Sequence, residues 1–233
     1  MPSPGAHADR TRGLSATHCG QWHGTVAGPS PVLLAQVLSE TADEEHRSMG
    51  RCVKSTAMSA PPLSDQFRGW ARMARCDLDN SGGNTVLRSH DRNRGEYRIC
   101  RRTGDRVGVV EVDVDDVAQE VLFAADMTVV ERFLIGVLGD DIRDDLELPY
   151  LQLPFQPEDL APGFELSEMA GGYRTLRRTN GGPVAASRDE IMSLVRLVPL
   201  SQFLTLTVAE LRASILDSEG APLVDCGRYR HRP

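Results

Sequence analysis

The apolar and polar positions downstream of residue 62 recur with the spacings of amphipathic helices and half-buried strands. Ser64 is suited to cap the N-terminus of a helix that places Phe67 and Trp70 on one face. The turn-forming residues DLDNSGG end this helix near Asp77. The first element is therefore predicted to be a short helix followed by a loop.

The next segments alternate polar and apolar residues with a period of two, which is typical of strands with one buried face. EYRICRR and RVGVVEVDV are joined by Thr103-Gly104-Asp105, and together they predict a β-hairpin. Strands are also predicted at residues 85–89 and in QEVLFAAD. Residues 163–187 contain two glycine-rich turns and predict two or three further strands.

A long helix is predicted to begin at Thr128. Thr128 and Glu131 have the spacing of a capping box, in which each side chain accepts a hydrogen bond from the other residue's backbone N–H. The predicted buried stripe comprises Val130, Phe133, Leu134, Val137 and Leu138. Gly139 suits the left-handed residue that follows a helix, so the helix either ends there or continues through GDDIRDDLEL. The next segment, PYLQLPFQPEDLAPG, holds four prolines and is predicted to lack regular structure.

Two more helices are predicted towards the C-terminus. Ser187 is expected to cap residues 188–197, and Pro199 to separate this helix from the next. Thr207 and Glu210 form a second capping box at the start of the last helix. The residues of the earlier helix predicted to face inward are Ile191, Leu194 and Val195.

These elements predict an α+β fold, a single domain with antiparallel β-hairpins or a sheet and about four helices. The domain is expected to comprise residues 62–233. Residues 1–61 differ, because they hold four of the six histidines, many Gly, Pro and Ser, and one periodic stretch at residues 31–45. No second element is available to cover that stretch, so residues 1–61 are predicted to be a disordered N-terminal extension.

Composition narrows the class of protein. Of the 233 residues, 40% are hydrophobic, enough for a packed core, but no apolar run approaches the ~18 residues of a membrane span. The chain shows no readable secretory signal, and its five cysteines are irregularly spaced. We therefore expect a cytoplasmic protein with reduced thiols that has no membrane partner. A net charge of −7 argues against nucleic acid as a partner.

The negative charge is concentrated in one region. Residues 105–147 contain 13 acidic side chains and three arginines, a local charge of −10. Such a region could steer a basic protein partner electrostatically. Ordinary solubility would require a similar charge, and composition alone favours neither explanation.

No catalytic or cofactor-binding constellation is recognisable. His18, Cys19 and His23 could begin a zinc site, but the next cysteine is Cys52. This spacing lacks the paired ligands that complete a tetrahedral site. The glycine pairs match no phosphate-binding motif, and DVDVDD lacks the glycine and glutamate of a calcium loop. We therefore predict no catalytic residue, no cofactor and no metal.

Five segments stand out along residues 63–225: SDQFRGWARMA, EYRICRRTGDRVGV, FAADMTVVERFLIGVLGDDIRDDL, APGFEL and LTVAELRASILDSEGAPLV. Their most distinctive parts are the helix ending GVLGDDIR, the pair Gly163-Phe164 and DSEGAPLV. In these segments the chain resembles a family of immunity proteins that neutralise polymorphic toxins.

The resemblance implies an antitoxin rather than an enzyme. Such a protein binds the catalytic domain of a secreted toxin one-to-one inside the producing cell. The toxin hydrolyses the glycosidic bond of NAD, and the immunity protein blocks its NAD site. The resemblance also makes Met58 an attractive true start, since MSAPPLSDQF directly precedes the first predicted helix. The free protein is expected to be a monomer.

Two sets of residues are candidates for contact with the toxin. An NAD site must attract a pyrophosphate, so its positive groups could be satisfied by carboxylates. The acidic candidates are Asp140, Asp141, Asp144 and Asp145. Tyrosine and arginine are common interface hot spots, and the second set is Tyr173, Arg174, Arg177 and Arg178. The alternative for Arg177 and Arg178 is a solvated strand face, which is the more common role of a single arginine in such a position.

Two other functions fit the residues. A secretion chaperone would also be acidic and intracellular, but it would bind an export segment rather than a catalytic domain. A small enzyme with an unrecognised site is the third alternative.

Overall fold

The computed structural model describes residues 59–230. Residues 1–58 of the predicted extension, which include the proposed start at Met58 and the first four histidines, lie outside the described residues. The helices are α1 (Asp65–Met73), α2 (Met127–Asp145), α3 (Glu190–Phe203) and α4 (Val208–Leu216), with one 3₁₀ turn at Pro157–Asp159. The strands are β1 (Cys76–Ser81), β2 (Asn84–Ser89), β3 (Glu96–Arg101), β4 (Val107–Val112), β5 (Ala118–Ala124), β6 (Phe164–Leu166), β7 (Tyr173–Arg178), β8 (Pro183–Arg188), β9 (Val224–Asp225) and β10 (Arg228–Tyr229).

Eight strands form one antiparallel sheet in the order β1-β2-β3-β4-β5-β8-β7-β6. Ile99, Val109 and Leu122 align across β3, β4 and β5 and are fully buried in the core. α2 packs on β4, β5 and α4, while α3 packs on β7 and β8. The predicted α+β fold with an antiparallel sheet and four helices is therefore confirmed.

Local patterns located most elements. Ser64 caps α1, the hairpin of β3 and β4 is present, and Thr207 and Glu210 form the capping box of α4. β6, β7 and β8 are the predicted meander. The loop predicted after α1 is wrong, because DLDNS forms β1 and pairs with β2 around a turn at Gly82 and Gly83, which have positive φ angles.

The start of α2 also differs from the prediction. Asp126, not Thr128, is the N-cap, and its carboxylate accepts a 3.0 Å hydrogen bond from the N–H of Val129. The helix continues through Gly139 to Asp145. Glycine is suited to that position because a Cβ there would come within 2.8 Å of the Ile215 side chain on α4.

α3 departs furthest from the sequence pattern. Asp189 replaces Ser187 as its cap, and Pro199 lies inside the helix instead of ending it. The C-terminal half of α3 is buried, so its packing outweighs the one hydrogen bond that proline removes. Ile191 is 65% exposed and Val195 is 36% exposed, so the prediction that they face inward is wrong.

Across residues 59–230, no single helix is long and apolar enough to cross a membrane. α3 and α4 meet the length and composition of a span only when taken together, and they are bent by 117°.

Candidate functional site

The four acidic candidates lie together on the last turns of α2, where ion pairs hold three of them. Arg94, in the loop between β2 and β3, pairs with Asp141 and lies 3.4 Å from Asp144. Arg75 pairs with Asp145 at 3.1 Å. This part of the acidic surface is consequently tied to the sheet and partly neutralised.

Asp140 is the one of the four that forms no ion pair within the described part of the chain. Partial burial of its carboxyl and repulsion from Asp141 raise its pKa to about 6, while Arg143 acts in the opposite direction. It lines a cleft beside α2.

The second candidate set is divided by the two faces of β7. Tyr173 is 1% exposed and lies under the guanidinium of Arg188, 5.0 Å from its ring centre. Tyr173 therefore offers no ring surface to a partner, contrary to the hot-spot hypothesis. Each of the three arginines has a partner within the fold. Arg174 donates a hydrogen bond to Ser193, Arg177 pairs with Glu165, and the guanidinium of Arg178 lies over the ring of Phe164. Only Arg177 and Arg178 of this set are exposed.

The cleft beside Asp140 has a volume of about 650 Å³ and was not predicted from the sequence. It lies between α2, α3 and the proline-rich segment at residues 150–156. α2 contributes Phe133, Gly136, Val137 and Asp140, which share one face by their helical spacing. α3 contributes Met192, Val195, Arg196, Pro199 and Phe203, which are spaced in the same way. Val195 is exposed because its face of α3 lines this cleft.

The proline-rich wall of the cleft is held in place by side chains from elsewhere in the fold. Arg143 donates a 2.8 Å hydrogen bond to the carbonyl of Pro149, and the Tyr229 hydroxyl donates one of 2.8 Å to Pro154. At the far end, the amide of Gln202 donates to the carbonyl of Asp159 at 2.8 Å. The wall is therefore fixed in position although it has almost no regular structure.

The floor of the cleft carries polar groups. The Tyr97 hydroxyl donates a 3.1 Å hydrogen bond to Glu111, and burial together with that carboxylate raises the pKa of Tyr97. Burial lowers the pKa of the nearby Arg196, and the charge of Glu111 opposes this effect. A second cavity of about 480 Å³ shares Tyr97, Glu111, Val137 and Asp140 with the first, so the depression continues along α2 as far as Arg94.

One signal in the sequence could have indicated this cleft. Tyr150 and Phe155 are large apolar residues in a segment too rich in proline to form a helix or strand. They are 73% and 38% exposed.

Residues 59–230 contain no group of three or more His, Cys, Asp or Glu side chains that could hold a metal ion. Cys76 and Cys100 are buried and Cys226 is exposed. Burial is the main cause that raises the pKa of the Cys76 thiol to about 11, which disfavours a reactive thiolate.

Comparisons with known proteins place these features in a family. The model of the family described as Immunity protein 61 (Imm61) matches residues 70–223. The chain is 34% identical over 172 residues to the Immunity factor for TNT of Mycobacterium tuberculosis (strain ATCC 25618 / H37Rv). It is equally similar to the Immunity factor for TNT homolog of Mycobacterium bovis (strain BCG / Pasteur 1173P2). Each alignment covers 69% of this chain and 92% of the relative.

The fold agrees with this assignment. The solved structure of Rv3902c from M. tuberculosis is similar, with a TM-score of 0.62 and 29% sequence identity. The similarity covers 72% of this chain and 97% of that one. From its sequence and its fold, the chain belongs to the Imm61 family of immunity proteins, as its segments from SDQFRGWARMA onward suggested.

Proposed function

We propose that this protein binds the catalytic domain of a secreted NAD-hydrolysing toxin one-to-one and blocks its NAD site, protecting the cytoplasm of the cell that makes it. The observation that carries this proposal is the 34% identity to the Immunity factor for TNT, over 92% of that protein's length. TNT is the toxin after which both relatives are named.

Inhibition of this kind requires surface complementarity rather than reacting groups. A specific complex typically buries about 1,600 Å² in total. The described residues offer an exposed acidic surface on α2 and a cleft beside it, both within reach of one partner. Asp144, whose side chain is 79% exposed, is suited to attract a basic rim around an anion-binding site.

Coexpression tests the proposal. The probes are the catalytic domain of TNT and that of one homologous toxin. Cells that produce either toxin domain should lose NAD, and cells that also produce this protein should keep it. The purified pair should elute as a 1:1 complex, with its mass measured by light scattering.

Other results would select the alternatives. A complex that forms only with the toxin's export segment would indicate a secretion chaperone. Turnover of NAD by this chain alone would indicate an enzyme. Either result would overturn the proposal.

A further inference from the structure

We propose that the cleft between α2, α3 and residues 150–156 binds an extended segment of the toxin domain in which an apolar side chain stands next to a lysine or arginine. This inference rests on the proposed function and specifies the partner chemistry that the cleft accepts.

The size and preformed shape of the cleft suit a peptide segment. Binding pockets commonly measure about 300–1,000 Å³, and this cleft has about 650 Å³. Its proline-rich wall is anchored by Arg143, Tyr229 and Gln202. Binding therefore requires little ordering of the receptor, which favours affinity.

The apolar lining is exposed where a partner could cover it. Tyr150 is 73% exposed, Phe155 38% and Val195 36%, although all three are large and apolar. They lie on two different walls of one depression, so both walls present apolar surface to an occupant. Aromatic residues with this exposure are enriched at the cores of protein interfaces.

The net negative charge of the lining favours a toxin segment in which a cationic side chain stands next to the apolar one. The lining of the cleft includes three carboxylates, those of Glu111, Asp140 and Asp159, and one guanidinium, that of Arg196. Glu111 accepts from Tyr97, and Asp159 accepts a 3.0 Å hydrogen bond from the N–H of Gln156. Asp140 is left to receive a charge-assisted hydrogen bond from the occupant, and a lysine or arginine supplies one.

Substitutions in the cleft, each with a matched control, test the inference. Asp140→Lys reverses the charge at the rim, and Asp79→Lys makes the same change of net charge on β1, outside both cavities. Val195→Glu places a charge in the apolar wall, and Ile191→Glu makes the same change on an exposed position of the same helix. Circular dichroism and thermal unfolding confirm that each variant is folded.

Binding to the two toxin domains is measured by calorimetry at high salt, where long-range attraction is screened. We expect Asp140→Lys and Val195→Glu each to weaken binding at least tenfold and the two controls to change it less than about twofold. A photo-crosslinker at Tyr150 should capture a toxin peptide that contains a lysine or arginine beside an apolar residue.

The outcomes separate this inference from the proposed function. If the wild-type protein binds and inhibits the toxin while both cleft variants bind equally well, the cleft inference is wrong and the proposed function stands. If the wild-type protein binds neither toxin domain, both fail. Dimers of this chain that dissociate on cleft substitution, or a crosslinked peptide without a basic residue, would also overturn the inference.

Discussion

Glu131 on α2 accepts hydrogen bonds from both the backbone N–H and the hydroxyl of Ser64, at 2.6 and 2.7 Å. The two residues are 67 positions apart. The Ser64 hydroxyl also accepts from the N–H of Phe67. These are the bonds of a capping box in which the glutamate comes from another helix. They join the start of α1 to α2 at the edge of the core.

This pair gives a prediction about stability. We expect Ser64→Ala to cost about 1 kcal/mol because α1 loses its cap. Glu131→Ala should lower the free energy of unfolding by a similar amount. The double variant should lose less than the sum of the two single losses, and the difference of about 1 kcal/mol is the coupling energy of the pair. Urea unfolding of the four proteins measures this cycle.

Thr128→Ala is the control for the cycle, since the sequence pattern assigned the cap of α2 to Thr128. We expect it to change the free energy of unfolding by less than about 0.5 kcal/mol, because Thr128 is exposed and Asp126 is the cap. A cost near 1 kcal/mol for Thr128→Ala, with no coupling between Ser64 and Glu131, would contradict the assignment.

Arg143 is predicted to be among the most sensitive positions. Its side chain is 2% exposed and donates to the carbonyls of Pro149, Ile215, Asp217 and Ser218. Arg143→Ala leaves these acceptors without their donor, so we expect a loss of more than about 3 kcal/mol of unfolding free energy. Arg143→Lys should recover only part of the lost free energy of unfolding, because an ammonium group lacks the planar array of N–H donors of a guanidinium. Arg72→Ala, on the exposed side of α1, should cost less than about 0.5 kcal/mol; an equal loss would contradict the prediction.

Helical glycines should respond to alanine in opposite directions. A Cβ at Gly69 in α1 would lie more than 4 Å from any atom outside its own helix, so Gly69→Ala should stabilise the protein by up to about 1 kcal/mol. A Cβ at Gly136 in α2 would overlap the ring of Phe203, so Gly136→Ala should destabilise by about 1–3 kcal/mol despite the same propensity gain. Thermal unfolding compares the two variants, and stabilisation of both would show that Phe203 moves aside.

The raised pKa of Asp140 predicts a pH dependence. The folded protein holds this proton up to a pH of about 6, whereas an unfolded aspartate releases it near pH 3.9. Between these values the folded state binds more protons, so this group's contribution to stability falls as the pH rises. Asp141, Arg143 and Tyr150 face the carboxyl and share its electrostatic environment.

Asp140→Asn removes that contribution. The stability of the variant relative to the wild type should therefore increase from about pH 4 to about pH 7, as measured by urea unfolding. NMR titration of the Asp140 carboxyl carbon gives a direct check, with an expected midpoint near pH 6. A midpoint near the ordinary aspartate value of about 4 would contradict this prediction.

Steering by the acidic surface predicts an effect on the rate of association. Asp144→Lys should slow binding to the toxin domain several-fold at low salt, and the difference should shrink at high salt. Asp79→Lys is the control of equal charge. Arg177→Glu tests the other candidate surface, where an interface contact would raise the dissociation rate instead. An association rate unaffected by Asp144→Lys would exclude steering by this part of α2.

The local pattern was enough to predict the fold class and most elements. Period-two alternation located the hairpin of β3 and β4, and the spacing of Thr207 and Glu210 located the start of α4. These signals succeed because a strand's faces and a helix's cap depend on neighbours within a few residues. The family resemblance added the class of partner, which no composition or periodicity could supply.

Tertiary structure decided the features that depend on distant residues. DLDNS became β1 because β2 offers it a pairing edge, and Pro199 stays within α3 because that half of the helix is buried. Asp141 is paired because the loop between β2 and β3 brings Arg94 to it. Arg94 is remote in the chain from Asp141, whereas β2 follows β1 directly and pairs with it around a tight turn.

Glu131 and the cleft also separate what the sequence determines from what the tertiary structure decides. The sequence determined that Glu131 could complete a capping box, and packing decided that its partner is Ser64 rather than Thr128. The sequence likewise determined the helical faces of Val137 and Arg196, but their meeting in one cleft required α2 and α3 to lie side by side. Local sequence fixes which groups a segment presents. Only the closed fold fixes which groups meet, because hydrogen-bond and packing partners are chosen by proximity in space.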